Sequence, residues 1–327
     1  PDAQTFYPLD PRVTWHKLGF NRGLRDKLRR TLALARVLRR HRITDLIGFV
    51  MAGDMTVFTA ARLAGTRVLA AERNAPSMFW RLYAPRRRRI NLAMLRLADR
   101  IVVQSPDFID GYPQPLRARM TAIPNPVRPA AALADPAAPG ANGRYTLLGV
   151  GRLDRRQKRP HLLVEAFARV ARDLPEWDLL WVGDGPEGAA LRAWIDAADL
   201  SARITLRDTT PDIATIYAAA HLFAMPSSWE GFPNALAEAM AAGLPAIGYD
   251  AGEGVAGLVR QAGGWIAPEE PDPVAGLADT LRAAMTDAQE RARRGAAART
   301  AMEAFPPKDI FDMWEQVLDD RTPRGRA

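Results

Sequence analysis

TLLGVGRLDRRQKRPHLLVEAFARVARDL, Thr146–Leu174, decides the fold. It opens on an apolar run, passes through a glycine and a basic loop, and closes on an amphipathic helical pattern. The run is short and apolar throughout, so it reads as a strand buried on both faces. The alternation continues through LLWVG (179–183), ITL (204–206), LFAMPS (222–227) and PAIGY (245–249), with helical patterns such as ALRAWIDAADL from Ala190 between them. Strand–helix alternation of this kind predicts a parallel sheet covered on both faces, a Rossmann-like α/β layout. Ligands in such sheets bind beyond the carboxyl ends of the strands. The candidate chemistry therefore lies in the loops GRLDRRQK, GDGPEG, RDTT, SSWEGFPN and DAGEG.

The first half alternates too, through VTWHKLG (13–19), DLIGFVM (45–51), RVLAAER (67–73), RIVVQS (100–105) and MTAIPNP (120–126). At 327 residues the chain exceeds the comfortable size of one core, so two domains are expected. The boundaries follow from composition: a first domain over 1–126, a Pro/Ala/Gly-rich linker over 127–144, and a second domain over 145–305. A terminal helix with a polar tail follows over 306–327. Cys is absent, which excludes disulfides and thiolate metal sites and suits the cytoplasm. No apolar run reaches the length of a membrane span, and no signal-peptide pattern opens the chain.

The net charge of +8 hides an asymmetry. Residues 1–135 carry 24 Lys+Arg against 10 Asp+Glu, while the remainder carries 21 against 27. A basic half points to an anionic partner, either nucleic acid, a phospholipid surface or phosphorylated substrates; solvated arginine faces fit the charge equally well.

SSWEGFPNALAEAMAAGLP, Ser227–Pro245, sets Glu230 and Glu238 eight residues apart around a helix start. Pro233 suits a first helical turn and Asn234 a cap. The N–H groups of Asn234 and Ala235 then point out of a helix start at the sheet's carboxyl edge, where the helix dipole favours an anion. Glutamates are poor phosphate ligands but good acceptors for hydroxyls, so a diphosphate flanked by two polyols fits the pattern. A capped helix whose glutamate complements the dipole is the competing explanation. In GVGRLDRRQK (149–158), Arg152 and Lys158 supply two cations that could neutralise a departing diphosphate. Arg155, Arg156 and Arg159 are expected to be solvated. GDGPEG (183–188) imitates a dinucleotide fingerprint, but Pro186-Glu187 puts a carboxylate where a pyrophosphate would approach; Gly183 and Gly185 better serve close approach of a sugar nucleotide. The four histidines show no metal-ligand spacing, and no Asp-x-Asp pair supports a metal-bridged diphosphate.

Taken together, these segments resemble the retaining GT-B glycosyltransferases of family 4, whose bacterial members act in glycolipid and polysaccharide assembly. VGRLDRRQKRPHLLVEAF is similar to the family's phosphate-binding start, LLWVGDGP to its second strand and glycine turn, and the segment from Arg203 to Ile247 to its signature region. ADRIVVQS and MTAIPNPV resemble the strands that end its first domain. The resemblance implies two Rossmann-like domains facing across a cleft. It implies that Arg152 and Lys158 bind the donor diphosphate, that Glu230 contacts donor-sugar hydroxyls and that Glu238 contacts the ribose. Gly151, Gly183 and Gly185 would line the donor, Gly231, Phe232, Asn234 and Ala235 would approach its phosphates, and Leu206 and Arg207 would lie near the base. The implied reaction is metal-independent transfer of a hexose or N-acetylhexosamine from a nucleotide-diphosphate sugar, a UDP-sugar foremost, to a lipid-linked or saccharide acceptor. No cofactor is implied. A sugar-nucleotide epimerase, or a basic α/β binding protein with a vestigial donor site, remains the alternative.

Three departures accompany the resemblance. The family's first strand and glycine-rich loop have no counterpart before Pro1, so the first domain is expected to lack its first strand or strands. The histidine common in that domain is replaced by AERNAP, ending at Pro76, which makes Arg73 and Asn74 acceptor-side candidates; Asn74 fits equally well as a helix cap. Pro233 replaces a commoner glycine and removes one possible phosphate N–H.

On a helix starting near Gly23, Arg25, Arg29, Arg36 and Arg40 fall within roughly 60° of one another, with Leu24, Leu28, Ala35 and Leu38 on a different, core-facing side. Arg86, Arg87, Arg88 and Arg89 add a second cluster. Each basic residue near an anionic leaflet is worth about 1 kcal/mol, which fits peripheral docking on the inner face of the cell membrane. No recognition motif or aromatic stacking series supports nucleic-acid binding.

Overall fold

The computed structural model describes residues 9–19 and 23–321. They form two α/β units, each built on one parallel sheet. The first runs through α1 (Leu24–Arg40), β1 (Asp45–Phe49), α2 (Met55–Ala64), β2 (Arg67–Ala71), α3 (Ser77–Leu82) and α4 (Pro85–Met94). It closes with β3 (Arg100–Val103), the short α5 (Gln114–Arg117) and β4 (Met120–Ala122). Its four strands lie in the order β1-β2-β3-β4, every pair parallel.

The second unit begins with β5 (Tyr145–Val150), α6 (Pro160–Val170), β6 (Trp177–Val182), α7 (Gly188–Ala197) and β7 (Ile204–Arg207). It continues with α8 (Ile213–Ala219), β8 (Leu222–Met225), α9 (Asn234–Ala241), β9 (Ala246–Tyr249), α10 (Val255–Gln261) and β10 (Trp265–Ala267). The helices α11 (Pro273–Thr286), α12 (Ala288–Met302) and α13 (Pro307–Asp319) end the described chain. The six strands are parallel in the order β10-β9-β8-β5-β6-β7. The winding direction therefore reverses between β5 and β8. That reversal opens a crevice beyond their carboxyl ends, where doubly wound sheets bind ligands.

Two expectations fail locally. VTWHKLG is not a strand: Val13 and Trp15 are exposed, and β1 is the sheet's edge. An apolar run becomes a strand only where a ladder partner and a face to bury exist, and residues 13–19 have neither. Leu28 is 63% exposed rather than core-facing, whereas Ala35 and Leu38 are buried against the first unit. The strand β10 was not anticipated, because three residues between Gly-Gly and Pro carry almost no periodic signal.

The two units are joined by more than a tether. The segment over 127–144 is strapped to the second unit by Val127 N donating to Phe305 O at 2.8 Å and Ala134 N to Ala242 O at 2.8 Å. Buried Arg291 donates to Pro136 O at 2.8 Å and stacks over Tyr145 and Trp177. Helix α13 returns to the first unit, where Ile310 and Val317 pack against Leu69, Ala71 and Val102. Arg100 of β3 holds Asp320 at 2.6 Å. Trp229, in the loop between β8 and α9 of the second unit, is 4% exposed and sits in the first unit's core with Met51, Met78, Phe79 and Tyr112.

One buried carboxyl gives the fold a measurable pH response. Glu72, at the end of β2, is 1% exposed and accepts from Met51 N at 3.1 Å and Ala52 N at 3.3 Å. Burial pushes its carboxyl up to about 7, against the two amide bonds that favour the ionised form. Its ordinary value in an unfolded chain lies near 4.5, so between these values the folded state holds the extra proton. Stability contributed by the neutral acid is complete below pH 4.5 and is lost as pH rises through 7, a loss of order 3 kcal/mol. Thermal unfolding of wild type should therefore decline from pH 5 to 8 relative to Glu72→Gln, which keeps the acceptor without the titration. Parallel curves for the two proteins would refute the assignment.

Candidate active site

The crevice between β5 and β8 is built by two loops tied to each other. After β5, Gly151 turns the chain, and Asp154 Oδ1 accepts from Arg156 N at 3.1 Å and Gln157 N at 2.8 Å, fixing the basic loop. Ser228 N donates to Gln157 O at 2.8 Å, and Gln157 Nε2 donates to Trp229 O at 3.2 Å. These bonds bring Lys158 against Glu230: Nζ lies 2.7 Å from Oε1, with both side chains largely buried. The contact is an ion pair outside hydrogen-bonding angles, so Glu230 Oε1 is buried without an aligned donor. Arg152 points to solvent, 63% exposed, with Nη2 3.5 Å from Asp154 Oδ2.

Helix α9 starts at Asn234 with Pro233 before it, and no side chain caps it. The expected cap at Asn234 is thus corrected: Asn234 Oδ1 instead accepts from Asn125 Nδ2 of the first unit at 2.5 Å. One turn on, Glu238 Oε2 accepts from Tyr217 Oη at 3.1 Å. Burial pushes the Glu238 carboxyl up while that hydrogen bond holds it down, although the residue keeps exposed area at the crevice. Arg73, Asn125, Phe232, Asn234 and Glu238 line a cavity of ≈ 320 Å³ between the two units. Phe232 also packs edge-on against Phe305, with ring centroids 5.2 Å apart.

The glycines serve backbone approach. A Cβ on Gly183, at φ +142°, would lie 2.2 Å from Gly151 O, and one on Gly185 would lie 2.4 Å from Leu153 O. The two carboxyl-edge loops therefore pack backbone to backbone, a reason for glycine at 183 and 185 that needs no ligand. Leu206 and half of this edge lie toward β7, the sheet's last strand, where Arg207 is exposed. Gly231 follows Glu230 in the loop, and Ala235 is the second residue of α9. The structure thus joins Lys158 to Glu230 directly, gathers Phe232, Asn234 and Glu238 around the cavity, leaves the Arg152 side chain in solvent after β5, and places Leu206 and Arg207 out at the edge strand β7.

Several sequence-based expectations are revised. Arg159 is not solvated: it is buried, paired with Glu269 at 2.5 Å, donating to Pro226 O at 2.7 Å and stacked over Tyr249. A facing carboxylate from the β10 loop makes that burial tolerable. Asn74 does not cap a helix, because α3 begins at Ser77 with Pro76 before it. The arginines of α1 (Arg25, Arg29, Arg36 and Arg40) are exposed, as are Arg86, Arg87 and Arg89. Arg88 is half-buried over Trp80 at 5.0 Å, and Arg87 lies over Tyr83 at 5.5 Å. No described helix is long and apolar enough to cross a membrane.

Sequence reasoning missed the residues that join the two units here. Phe232 N donates to Gln104 Oε1 at 3.0 Å, Gln104 Nε2 donates to Asn125 Oδ1 at 2.9 Å, and Ser77 N donates to Glu253 Oε2 at 2.9 Å. Gln104, Asn125 and Glu253 lie in segments the sequence marks out, but an amide or carboxylate contact between distant segments has no spacing signature that singles out the residue.

Two parallel α/β units, the second doubly wound, with their carboxyl edges across a shared crevice define the GT-B class. A family model described as glycosyl transferases group 1 matches residues 134–301, and the chain belongs to that family. It is 32% identical over 163 residues to an exopolysaccharide phosphotransferase of Streptomyces coelicolor, covering 49% of this chain and 17% of that protein. It is 28% identical over 167 residues to the N-acetyl-alpha-D-glucosaminyl L-malate synthase of Bacillus anthracis, covering 51% and 43%. The matches thus span less than half of these curated relatives. Among solved structures, the pneumococcal O-GlcNAc transferase GtfA with UDP and GlcNAc superposes at TM-score 0.66 and 19% identity, covering 88% of this chain and 59% of that one. Anabaena HepE with UDP-glucose superposes at 0.70 and 18%, covering 88% and 81%. These likenesses show the fold.

The seam makes its own prediction. A Cβ on Gly231 would lie 1.9 Å from Gln104 Oε1 and 2.4 Å from Arg73 O, and the second of these is backbone. Gly231→Ala should therefore push the units apart and destabilise the protein by about 1–3 kcal/mol in denaturant unfolding. An unchanged midpoint would show that the seam is looser than its geometry.

Proposed function

We propose that the chain is the catalytic core of a retaining, metal-independent glycosyltransferase. It moves a hexose or N-acetylhexosamine from a nucleotide-diphosphate sugar, a UDP-sugar foremost, to a lipid-linked or saccharide acceptor in polysaccharide or glycolipid assembly. The observation that carries this reading is the Lys158–Glu230 pair, buried at the switch point beside the open N-terminus of α9. A diphosphate entering there competes for the Lys158 ammonium and gains the α9 amides. Glu230 is then released to accept sugar hydroxyls with the oxygen that has no aligned donor. Arg152, free to swing from solvent, adds the second cation to the departing diphosphate. Glu238, which lines the cavity one turn into α9, suits the ribose hydroxyls, and Leu206 and Arg207 the base. The acceptor enters from the first unit, past Asn74.

Relatives support the setting: one acts in amylovoran biosynthesis in Erwinia amylovora, and a structural neighbour is a lipopolysaccharide outer core galactosyltransferase. The exposed arginines of α1 and α4 suit peripheral docking on an anionic cytoplasmic leaflet, where a lipid-linked acceptor would reside.

Arg152→Ala and Glu230→Gln should each lower kcat by roughly two to three decades in a product-resolved assay with UDP-sugar and acceptor. Near-normal turnover in both variants would remove the assignment. Conversion of the donor without acceptor would point to an epimerase, and nucleotide binding without any turnover to a binding protein.

A further inference from the structure

Arg73 stands apart from the other cations of the crevice. Lys158 is paired with Glu230, Arg152 lies beside Asp154, and Arg159 is held by Glu269. Arg73, in the loop after β2, forms no ion pair among the described residues; its partners are the neutral Asn125 Oδ1 and the ring of Phe49, 5.5 Å from the guanidinium carbon. It is half-buried, and that burial works against its charge. A desolvated guanidinium without a counter-charge is costly unless an anion completes it.

Its position says which anion. The Arg73 carbonyl abuts Gly231, the residue after Glu230, so the loop is fixed against the second unit. Asn125 accepts from Arg73 through Oδ1 and donates through Nδ2 to Asn234 Oδ1 at 2.5 Å. One amide side chain therefore separates the guanidinium from the first residue of α9, and all three residues line the ≈ 320 Å³ cavity. The positive end of the α9 dipole and an unpaired cation face the same space. Glu238, the carboxylate of that cavity, is tied to Tyr217 and suits hydroxyls rather than phosphate.

We infer that Arg73 reaches across the seam to clamp the diphosphate of the nucleotide donor, making the anion seat a two-domain site. This rests on the glycosyltransferase reading and assigns Arg73 to the donor instead of the acceptor. It follows that donor affinity depends on apposition of the two units, because Arg73 belongs to one and Lys158 to the other. Asn125 is then a positioning residue that aims the guanidinium. The same guanidinium chemistry would suit the phosphate of a lipid-linked acceptor, so the test separates the two sources.

Calorimetry of the full chain with UDP and with uridine, repeated with GDP and ADP, provides that test. Arg73→Gln should weaken UDP binding by roughly ten- to a hundredfold while leaving uridine nearly unchanged, as expected for loss of a bond to a charged group. The ratio of the two ligands guards against a folding defect, which would lower both. Asn125→Asp gives a second reading that keeps the Arg73 side chain: the new carboxylate neutralises the guanidinium it contacts, so it should weaken UDP selectively and by more in wild type than in Arg73→Gln. Arg73→Lys, which keeps the charge but loses the fork, should fall between wild type and Arg73→Gln. Wild-type UDP affinity in both Arg73→Gln and Asn125→Asp would overturn the inference and leave the glycosyltransferase reading intact. So would a change confined to the acceptor KM. Failure of wild type to bind any of the three nucleoside diphosphates would instead sink the glycosyltransferase reading itself.

Discussion

Trp229 is the bolt on which the rest of the structure depends. It belongs by sequence to the loop after β8, yet its ring is buried in the core of the first unit. Fully burying an indole removes on the order of 200 Å² from water, worth several kcal/mol at ordinary transfer coefficients. Because the next two residues are Glu230 and Gly231, that burial fixes the carboxylate at the mouth of the crevice. It also forces the backbone at 231 against Arg73 and Gln104, a contact only glycine permits. Packing energy thus sets the geometry of the site.

Charge is arranged around that bolt with little left over. Lys158 and Glu230 neutralise one another in a largely buried pair, and Arg159 with Glu269 does the same deeper in the sheet. Removing one partner of such a pair leaves an uncompensated charge and is costly, so a ligand that takes Lys158 must bring its own anion and offer donors to Glu230. A sugar diphosphate does both at once. The basic first unit has a second outlet in the exposed arginines of α1, which lie away from the buried Ala35 and Leu38.

Much of this was legible in the sequence, for reasons that can be named. The second unit reads well because buried parallel strands are continuous apolar runs and their helices carry strong 3.6-residue periodicity, as in Thr146–Leu174. Lys158 and Glu230 could be picked out because each follows a strand of the doubly wound sheet. What escaped depends on long-range contact. VTWHKLG has strand composition but no partner, and Arg159 looks like its solvated neighbours until Glu269 is seen opposite. Gln104 and Asn125 become part of the site only when the units meet. Asn234 looked like a cap because local rules reward it, but a cross-domain amide took its side chain instead.

The most direct test of the central claim is a crystal structure with UDP bound. The diphosphate oxygens should lie within hydrogen-bonding distance of the backbone amides at the start of α9, with Lys158 Nζ drawn off Glu230 onto a phosphate. UDP seated away from the β5–β8 crevice, or bound there with the 2.7 Å Lys158–Glu230 contact undisturbed, would contradict it.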